Sequence, residues 1–266
     1  MIAGIALSTT SLAVVYSVLV ETGLTHSKLG KIIMASTFIT DMGTALALSI
    51  VFIKPTWYTL LFIGVSFVAI FLLDRFSLYL LRAPRIANKI IEPEIKIIFL
   101  VLLIFIYFAK LGESHAVLPA FVLGLVMSRH FREHRKTKLL RNKLRTVSYA
   151  IITPFFFIVG GMKVSFPLIW GAIALFLLLF FLKIIAKFLG VYFLAKKYLP
   201  HGKMYTTLLM STGLTFGTIS ALFGLNAGLI TQVQYSVLVG VVVASAIIPT
   251  FIAQKWYKPK FDEDVI

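Results

Sequence analysis

Long runs of apolar residues, separated by short polar gaps, dominate the pattern along this chain. Most runs are close to the ~20 residues that a helix needs to cross the hydrocarbon core of a bilayer. Backbone groups in lipid must be satisfied within the fold, and uninterrupted apolar runs exclude the alternating pattern of a barrel. We therefore predict an all-α, polytopic membrane protein with about nine transmembrane helices. Within a few residues at each edge, they cover 2–20, 31–53, 56–78, 94–110, 115–129, 146–162, 167–195, 205–224 and 232–254.

Composition supports this fold class and narrows the class of partner. The 266 residues are 59% hydrophobic and 14% charged, with a mean hydropathy of +0.97, whereas soluble domains carry roughly a quarter charged residues. The net charge of +16 is compatible with nucleic-acid binding. However, the basic residues lie in the gaps between apolar runs, as the positive-inside rule describes. We therefore expect the lipid bilayer, and no nucleic acid, as the partner.

The basic residues also predict an orientation. The linker at 129–145 holds eight of them, so we place it in the cytoplasm together with a short tail at 257–266. Residues 1–256 then form a single transmembrane domain, and we expect the plasma membrane as its location. Nine spans leave Met1 outside with no polar leader. We therefore favour a chain that lacks an odd number of upstream spans.

Asp41 is the clearest candidate for a functional residue, because it lies near the middle of an apolar segment, where a lone charge costs several kcal/mol. Thr37, Thr40 and Thr44 share its helical face by the i, i+3, i+4 rule. A carboxylate among hydroxyls offers hard oxygen ligands to a small cation. It can bind a proton instead, because burial favours the uncharged carboxyl. The alternative is a structural Asp41 that is satisfied by neighbouring hydroxyls.

Two stretches combine small and hydroxyl residues at lipid depth. The first is "LSTTSLAVV" at 7–15, with Thr9, Thr10 and Ser11, and the second is "STGLTFGTIS" at 211–220. Paired interrupted spans in corresponding parts of a chain indicate a transporter's binding site. Small residues that only let helices pack closely are the alternative. The candidate residues of the second stretch are Ser211, Thr212, Gly213, Thr215 and Gly217.

Two lysines lie one helical turn apart in the seventh segment, within "FLKIIAKFLG". If the span begins at Pro167, Lys183 and Lys187 lie near its end and can snorkel to the interface. If the helix is tilted and reaches Lys196, Lys183 lies near mid-membrane instead. The sequence leaves both alternatives open.

The sequence contains no pattern that is typical of an enzyme active site. No cluster of His, Asp and Glu has metal-ligand spacing, and no nucleophile lies beside a base. We therefore expect neither an enzyme nor a bound cofactor, and no metal beyond a transported cation.

The chain resembles the monovalent cation:proton antiporter superfamily, in the branch of the Kef-type and Nap-type exchangers. The matching stretches follow the family's order and cover nearly the whole chain. They are "ALSTTSLAVVYSVLVETGL" (6–24), "LGKIIMASTFITDMGTALAL" (29–48), "EPEIKIIFLVLL" (92–103), "LPAFVLGLVMS" (118–128), "PFFFIVGGM" (154–162), "KIIAKFLGVYFLAKK" (183–197) and "MSTGLTFGTIS" (210–220).

The resemblance implies a fold of inverted repeats in which two interrupted helices cross near an ion site. It implies that Asp41 binds the ion and the proton, that Lys183 matches the family's basic residue, and that the protein is a homodimer. Similar members have roughly three further helices before the Ser/Thr stretch, which agrees with the orientation argument. The family often has Asp, Asn or Gln where this chain has Thr40. A single titratable acid fits one cation exchanged for one proton, and Na⁺ versus K⁺ stays open.

We therefore predict a secondary antiporter that exchanges Na⁺ or K⁺ for H⁺ by alternating access. Asp41 binds either ligand, with help from Thr10, Ser11, Thr40 and exposed backbone carbonyls, and Thr9 is a further candidate for binding the ion. The rivals are a non-transporting fragment of such an antiporter, a sodium-coupled symporter of organic anions, and a gated channel.

Overall fold

The computed structural model describes residues 1–51, 56–82, 93–112, 116–133 and 142–259. Regular structure in these ranges is helical throughout, with no strand among them. The predicted all-α, polytopic class is therefore confirmed for the part of the chain that the structure describes. Most of the predicted tail, 260–266, and the middle of the basic linker, 134–141, lie outside the described residues.

Thirteen helices are labelled here in chain order. They are α1 Ile2–Ser8, α2 Leu12–Glu21, α3 Lys28–Val51, α4 Trp57–Arg82, α5 Pro93–Leu111, α6 Val117–Glu133, α7 Asn142–Met162, α8 Phe166–Gly171, α9 Ile173–Lys187, α10 Phe193–Tyr198, α11 Lys203–Leu209, α12 Leu214–Asn226 and α13 Gln232–Trp256. A π-helical turn at Phe188–Tyr192 joins α9 to α10, and another, Ser148–Ile152, lies within α7. Short 3-10 turns occupy Leu24–His26 and Pro200–Gly202.

Seven helical spans in the described ranges are long and apolar enough to cross a membrane. A further 19-residue helix, α5, and the shorter apolar helix Val117–Ser128 occupy the fourth and fifth predicted segments. The count of nine transmembrane helices stays a prediction. The seventh segment differs from its predicted bounds of 167–195, because Ala172 leaves the helical region (φ −117°, ψ 31°) directly after Gly171. The long span therefore runs from Ile173 to Tyr198.

The described chain forms two compact units. Unit 1 comprises Met1–Thr44 and Ile158–Ile266, and unit 2 comprises Ala45–Phe157. The division into a transmembrane domain at 1–256 and a tail at 257–266 stays a prediction. In unit 2, α4, α5 and α6 pack around Phe62, Phe105 and Leu123, which are buried.

Unit 1 is held together by an apolar cluster at one end of its helices. Leu19 of α2, Ile33 of α3, Leu209 of α11 and Ala253 of α13 are buried in the same cluster. Tyr205 is also fully buried there, and its hydroxyl lies 3.3 Å from the Thr22 hydroxyl. These contacts fix α2, α3 and α11, the helices that carry the candidate site.

Candidate ion-binding site

Two helices of unit 1 are interrupted within the stretches that combine small and hydroxyl residues. The first interruption separates α1 from α2, and its flanking residues Thr9 (ψ 156°) and Ser11 (ψ 107°) are extended. The second separates α11 from α12 and ends at Gly213, whose dihedrals (φ −156°, ψ 33°) are not helical. Each interruption frees backbone N–H and C=O groups, which inside a membrane need partners within the protein.

Hydroxyl groups of the first interruption donate to backbone carbonyls of the second. Thr9 Oγ1 donates to the carbonyl oxygen of Gly213 at 3.1 Å, and Thr10 Oγ1 donates to that of Met210 at 3.2 Å. Both threonines are fully buried. The two interruptions therefore cross in direct contact, with hydroxyls of the first bound to backbone carbonyls of the second.

Ser11 makes two further contacts between the two interruptions. Its hydroxyl lies 3.3 Å from the Thr215 hydroxyl, and its backbone amide donates to Thr212 Oγ1 at 3.5 Å. Ser211, also fully buried, donates instead within its own segment, to the Thr207 carbonyl at 2.8 Å. The structure therefore brings together all three candidates of the first stretch with Thr212, Gly213 and Thr215 of the second.

The crossing leaves no room for a side chain at Gly213. A Cβ atom there would lie 2.3 Å from Lys183 Nζ and 2.7 Å from Thr9 Oγ1. One turn later, a Cβ on Gly217 would lie 2.7 Å from Val242 and 3.0 Å from the Ala6 carbonyl oxygen. Both glycines are therefore needed for the close approach of α12 to its neighbours.

Asp41 lies on α3 with its side chain 5% exposed. The backbone amide of Leu12 donates a hydrogen bond to the carboxylate, and Leu12 is the first residue of α2. The free N–H groups of a helix N-terminus favour a negative charge. Within the described residues, the second carboxylate oxygen, Oδ1, has no hydrogen-bond partner. The carboxylate is thus anchored on one side and available for a ligand on the other.

The threonines beside Asp41 use their hydroxyl protons within α3. Thr37 Oγ1 donates to the Ile33 carbonyl at 2.8 Å, and Thr40 Oγ1 donates to the Thr37 carbonyl at 2.7 Å. Thr44 does the same with Thr40 at 2.9 Å. A hydroxyl that donates its proton retains its oxygen lone pairs. These threonines therefore remain able to accept from a ligand or to coordinate a cation.

The two lysines of α9 occupy different surroundings. Lys183 is 2% exposed, and its Nζ has no hydrogen-bond partner among the residues that the structure describes. Lys187 is half-buried, and its Nζ donates to Thr10 Oγ1 at 3.0 Å. It also interacts electrostatically with Asp41. Because the span runs from Ile173 to Tyr198, both lysines lie near its middle, which favours the second of the two depths left open by the sequence.

The Lys187 contact has a measurable consequence. A hydrogen bond to a charged group contributes about 1.5–3 kcal/mol to stability, although the partial exposure of Lys187 reduces this value. We expect Lys187→Gln to lower the apparent Tm of the purified protein by a few degrees. In a Thr10→Val background the same change has little further effect, because the acceptor is already gone. Equal effects of Lys187→Gln in both backgrounds would contradict the contact. Lys183→Gln is the control for the background, since Lys183 has no hydrogen-bond partner among the described residues and the variant should have the same effect in both backgrounds.

Two parts of the site were missed by sequence reasoning. The interruption itself could have identified the Leu12 amide, since the first residues after a break carry free N–H groups. The end of α11 could have identified the Met210 carbonyl in the same way, since the last residues of a helix carry free C=O groups. Nothing in the sequence indicates which lysine bonds Thr10. No group of three or more His, Cys, Asp or Glu side chains is placed to hold a metal within the described ranges.

Comparison with known proteins places the chain among membrane exchangers. The family described as "Sodium/hydrogen exchanger, transmembrane" matches residues 1–256. The probable Na⁺/H⁺ antiporter 3 of Methanocaldococcus jannaschii is 28% identical over 265 residues, covering 94% of this chain and 66% of the relative. The Na⁺/H⁺ antiporter of Enterococcus hirae is also 28% identical, over 96% of this chain and 68% of the relative.

A third relative is the Na⁺/H⁺-K⁺ antiporter GerN of Bacillus cereus, 26% identical over 62% of this chain and 41% of the relative. The chain thus spans about two thirds of the length of the first two relatives. The family match covers almost all of the chain and agrees with its helical, membrane-spanning fold. This protein therefore belongs to the sodium/hydrogen exchanger family.

Proposed function

We propose that this protein exchanges a monovalent cation, Na⁺ or K⁺, for H⁺ across a membrane, and that Asp41 binds both ligands in turn. The observation that carries the proposal is the buried Asp41 carboxylate beside the first residue of α2, with one oxygen that has no hydrogen-bond partner among the described residues. A buried charge of this kind is costly unless it binds something. Family membership and the relatives' names support cation/proton antiport as the general activity.

In the proposed cycle, the cation and the proton compete for one carboxylate. Deprotonated Asp41 supplies the negative charge, while hydroxyls of Thr10, Ser11 and Thr40 and freed carbonyls supply neutral oxygen ligands. Unwound backbone beside half-helix ends is the usual cation-coordinating element in transporters. Protonation of Asp41 removes the negative charge, so the cation leaves. Because each ligand excludes the other, net movement of one is coupled to opposite movement of the other.

Alternating access is the second part of the proposal. Unit 1 carries both interrupted helices and Asp41, and we propose that it exposes the site to one side of the membrane at a time. We further propose a cytoplasmic C-terminus, from the distribution of basic residues, with the plasma membrane as the location and a homodimer as the assembly. One acidic side chain at the site fits an exchange of one cation for one proton.

The choice of cation is tested by using both ions. The names of the relatives include Na⁺ in all three cases and K⁺ in one. The purified chain is reconstituted in acid-loaded proteoliposomes that contain a pH-sensitive dye, and Na⁺, K⁺ or choline is added outside. We expect Na⁺ or K⁺, but not choline, to make the lumen more alkaline. No response to either ion from a folded, correctly inserted protein would contradict the proposal.

A further inference from the structure

One end of unit 1 carries an excess of positive charge. Residues 1–44 and 158–259 contain ten lysines but only two acidic residues, Glu21 and Asp41. Asp41 belongs to the ion site, and Glu21 is bonded to Gln254 at 3.3 Å. Seven of the lysines lie at helix ends or in the turns next to them, and we call this set the basic end. It comprises Lys28, Lys31, Lys196, Lys197, Lys203, Lys255 and Lys258.

Packing contacts show that these helix ends form one surface. The Leu29 side chain at the start of α3 packs directly on Gly202, beside Lys203. Thr22 after α2 meets Tyr205 of α11 at 3.3 Å, and the Glu21 contact joins the ends of α2 and α13. Leu29, Tyr205 and Ala253 share the apolar cluster beneath, and Leu199 packs against it. The lysines on the segments of α3, α10, α11 and α13 are therefore neighbours in space.

Aromatic rings accompany the lysines of the basic end. Lys197 Nζ lies 5.4 Å from the Tyr198 ring centre, and Lys255 Nζ lies 5.0 Å from that of Trp256. Tyr198 is 66% exposed and Trp256 is 60% exposed. Tyr and Trp are enriched where membrane helices cross the head-group layer. These exposed rings therefore place the lysines at the level of lipid head groups.

We propose that the basic end binds the phosphate head groups of anionic phospholipids. Neighbouring ammonium groups repel one another unless a counter-charge lies between them, and anionic lipids supply fixed negative charge at this depth. Six of the seven lysines are exposed and so accessible to a head group, and Lys203 is half-buried. The position at the ends of membrane-spanning helices favours lipid over a soluble polyanion such as nucleic acid.

Lys203 connects this surface to the ion site. It is the first residue of α11, which ends at Leu209, directly before Met210 of the crossing. At 1.5 Å per residue, a head group on Lys203 lies about 10 Å along the helix from the crossing. Lys203 is therefore the lysine of the basic end whose own helix leads into the crossing.

Thermal unfolding of the detergent-purified protein tests the proposal without requiring transport. The protein is titrated with phosphatidylglycerol and, in parallel, with phosphatidylcholine. Inorganic phosphate and a short single-stranded oligonucleotide are the other anions tested. We expect phosphatidylglycerol alone to raise the apparent Tm. In the triple variant Lys196→Gln, Lys197→Gln, Lys203→Gln the half-saturating lipid concentration should rise at least about tenfold, since each lysine near an anionic lipid surface contributes to affinity.

Matched variants separate binding from folding. Lys163→Gln removes one charge at the far end of α12, where Lys163 Nζ donates to Asn226 at 3.2 Å, and should leave the lipid titration unchanged. The triple Lys→Arg variant keeps the charges and should bind as the natural protein does. If the triple Lys→Gln variant fails to fold, the single Lys203→Gln variant replaces it. Equal stabilisation by both lipids, by phosphate or by the oligonucleotide would overturn the proposal. So would a titration of the glutamine variant that matches that of Lys163→Gln.

Discussion

Asp41→Asn is expected to reduce cation/proton exchange by at least about 100-fold. An amide of the same shape carries no negative charge and releases no proton, so it provides neither half of the exchange. A 100-fold loss corresponds to about 2.8 kcal/mol of binding free energy, since each 1.4 kcal/mol is a tenfold change in affinity. The Leu12 amide retains an oxygen acceptor at position 41, so the variant should fold. The measurement is cation-triggered alkalinisation in proteoliposomes.

Two controls make this result specific to Asp41. Besides Asp41, Glu21 is the other acidic residue of 1–44 and 158–259. It lies outside the crossing and contacts Gln254, so Glu21→Gln should retain exchange. Asp41→Glu keeps the charge but moves it by one methylene, and it should retain a fraction of the activity. If Asp41→Asn still exchanged protons in a pH-dependent manner, the mechanism proposed for Asp41 would be wrong.

Gly213→Ala is expected to cause the second-largest loss, both in exchange and in stability. The added Cβ would lie 2.3 Å from Lys183 Nζ, 2.7 Å from Thr9 Oγ1 and 2.8 Å from the Thr9 carbonyl oxygen. The lysine side chain is flexible, but the Thr9 backbone is fixed by the crossing. Overpacking of this kind costs about 1–3 kcal/mol. The apparent Tm in detergent and the exchange rate should therefore both fall.

Gly161→Ala is the matched control, because a Cβ at Gly161 of α7 meets nothing within 4 Å. Alanine is favoured over glycine inside a helix by about 0.5–1 kcal/mol, so the apparent Tm should stay constant or rise slightly. Equal losses in the two variants would indicate that the close approach at Gly213 is not what holds the crossing.

The fold could be predicted from the sequence because the dominant forces in a membrane protein are local in the chain. Each apolar segment must satisfy its own backbone by forming a helix, so length and hydropathy suffice to locate it. The bounds of the seventh segment were the exception. The helix breaks at Gly171 and Ala172, inside an otherwise apolar run, and hydropathy alone does not report such a turn.

The candidate site could be predicted in part. Asp41 and the two Ser/Thr/Gly stretches stand out because polar residues at lipid depth are expensive. Their partners are set by tertiary packing: Lys187 and Thr10 are separated by 177 positions in the chain. The sequence placed Lys183 and Lys187 on one helical face but contained no information about which of them contacts a hydroxyl. That difference follows from how α9 lies against the crossing.

The difference between the two lysines has a consequence for the proposed cycle. Thr10 Oγ1 donates to Met210 and accepts from Lys187, so the hydroxyl has one lone pair left for a cation. Lys183 instead fills space against Gly213. Functional comparisons of the two lysine variants should therefore be made separately, because the same substitution removes a hydrogen bond in one case and a packing contact in the other.

If one carboxylate binds either a cation or a proton, cation binding must release protons from the protein. Na⁺ or K⁺ is added to the purified protein in weakly buffered detergent solution, near the pH at which exchange is half-maximal, while released protons and bound cation are measured together. We expect proton release that saturates with cation binding in the natural protein, and neither response in Asp41→Asn. Cation binding without proton release, or the same release from Asp41→Asn, would contradict it.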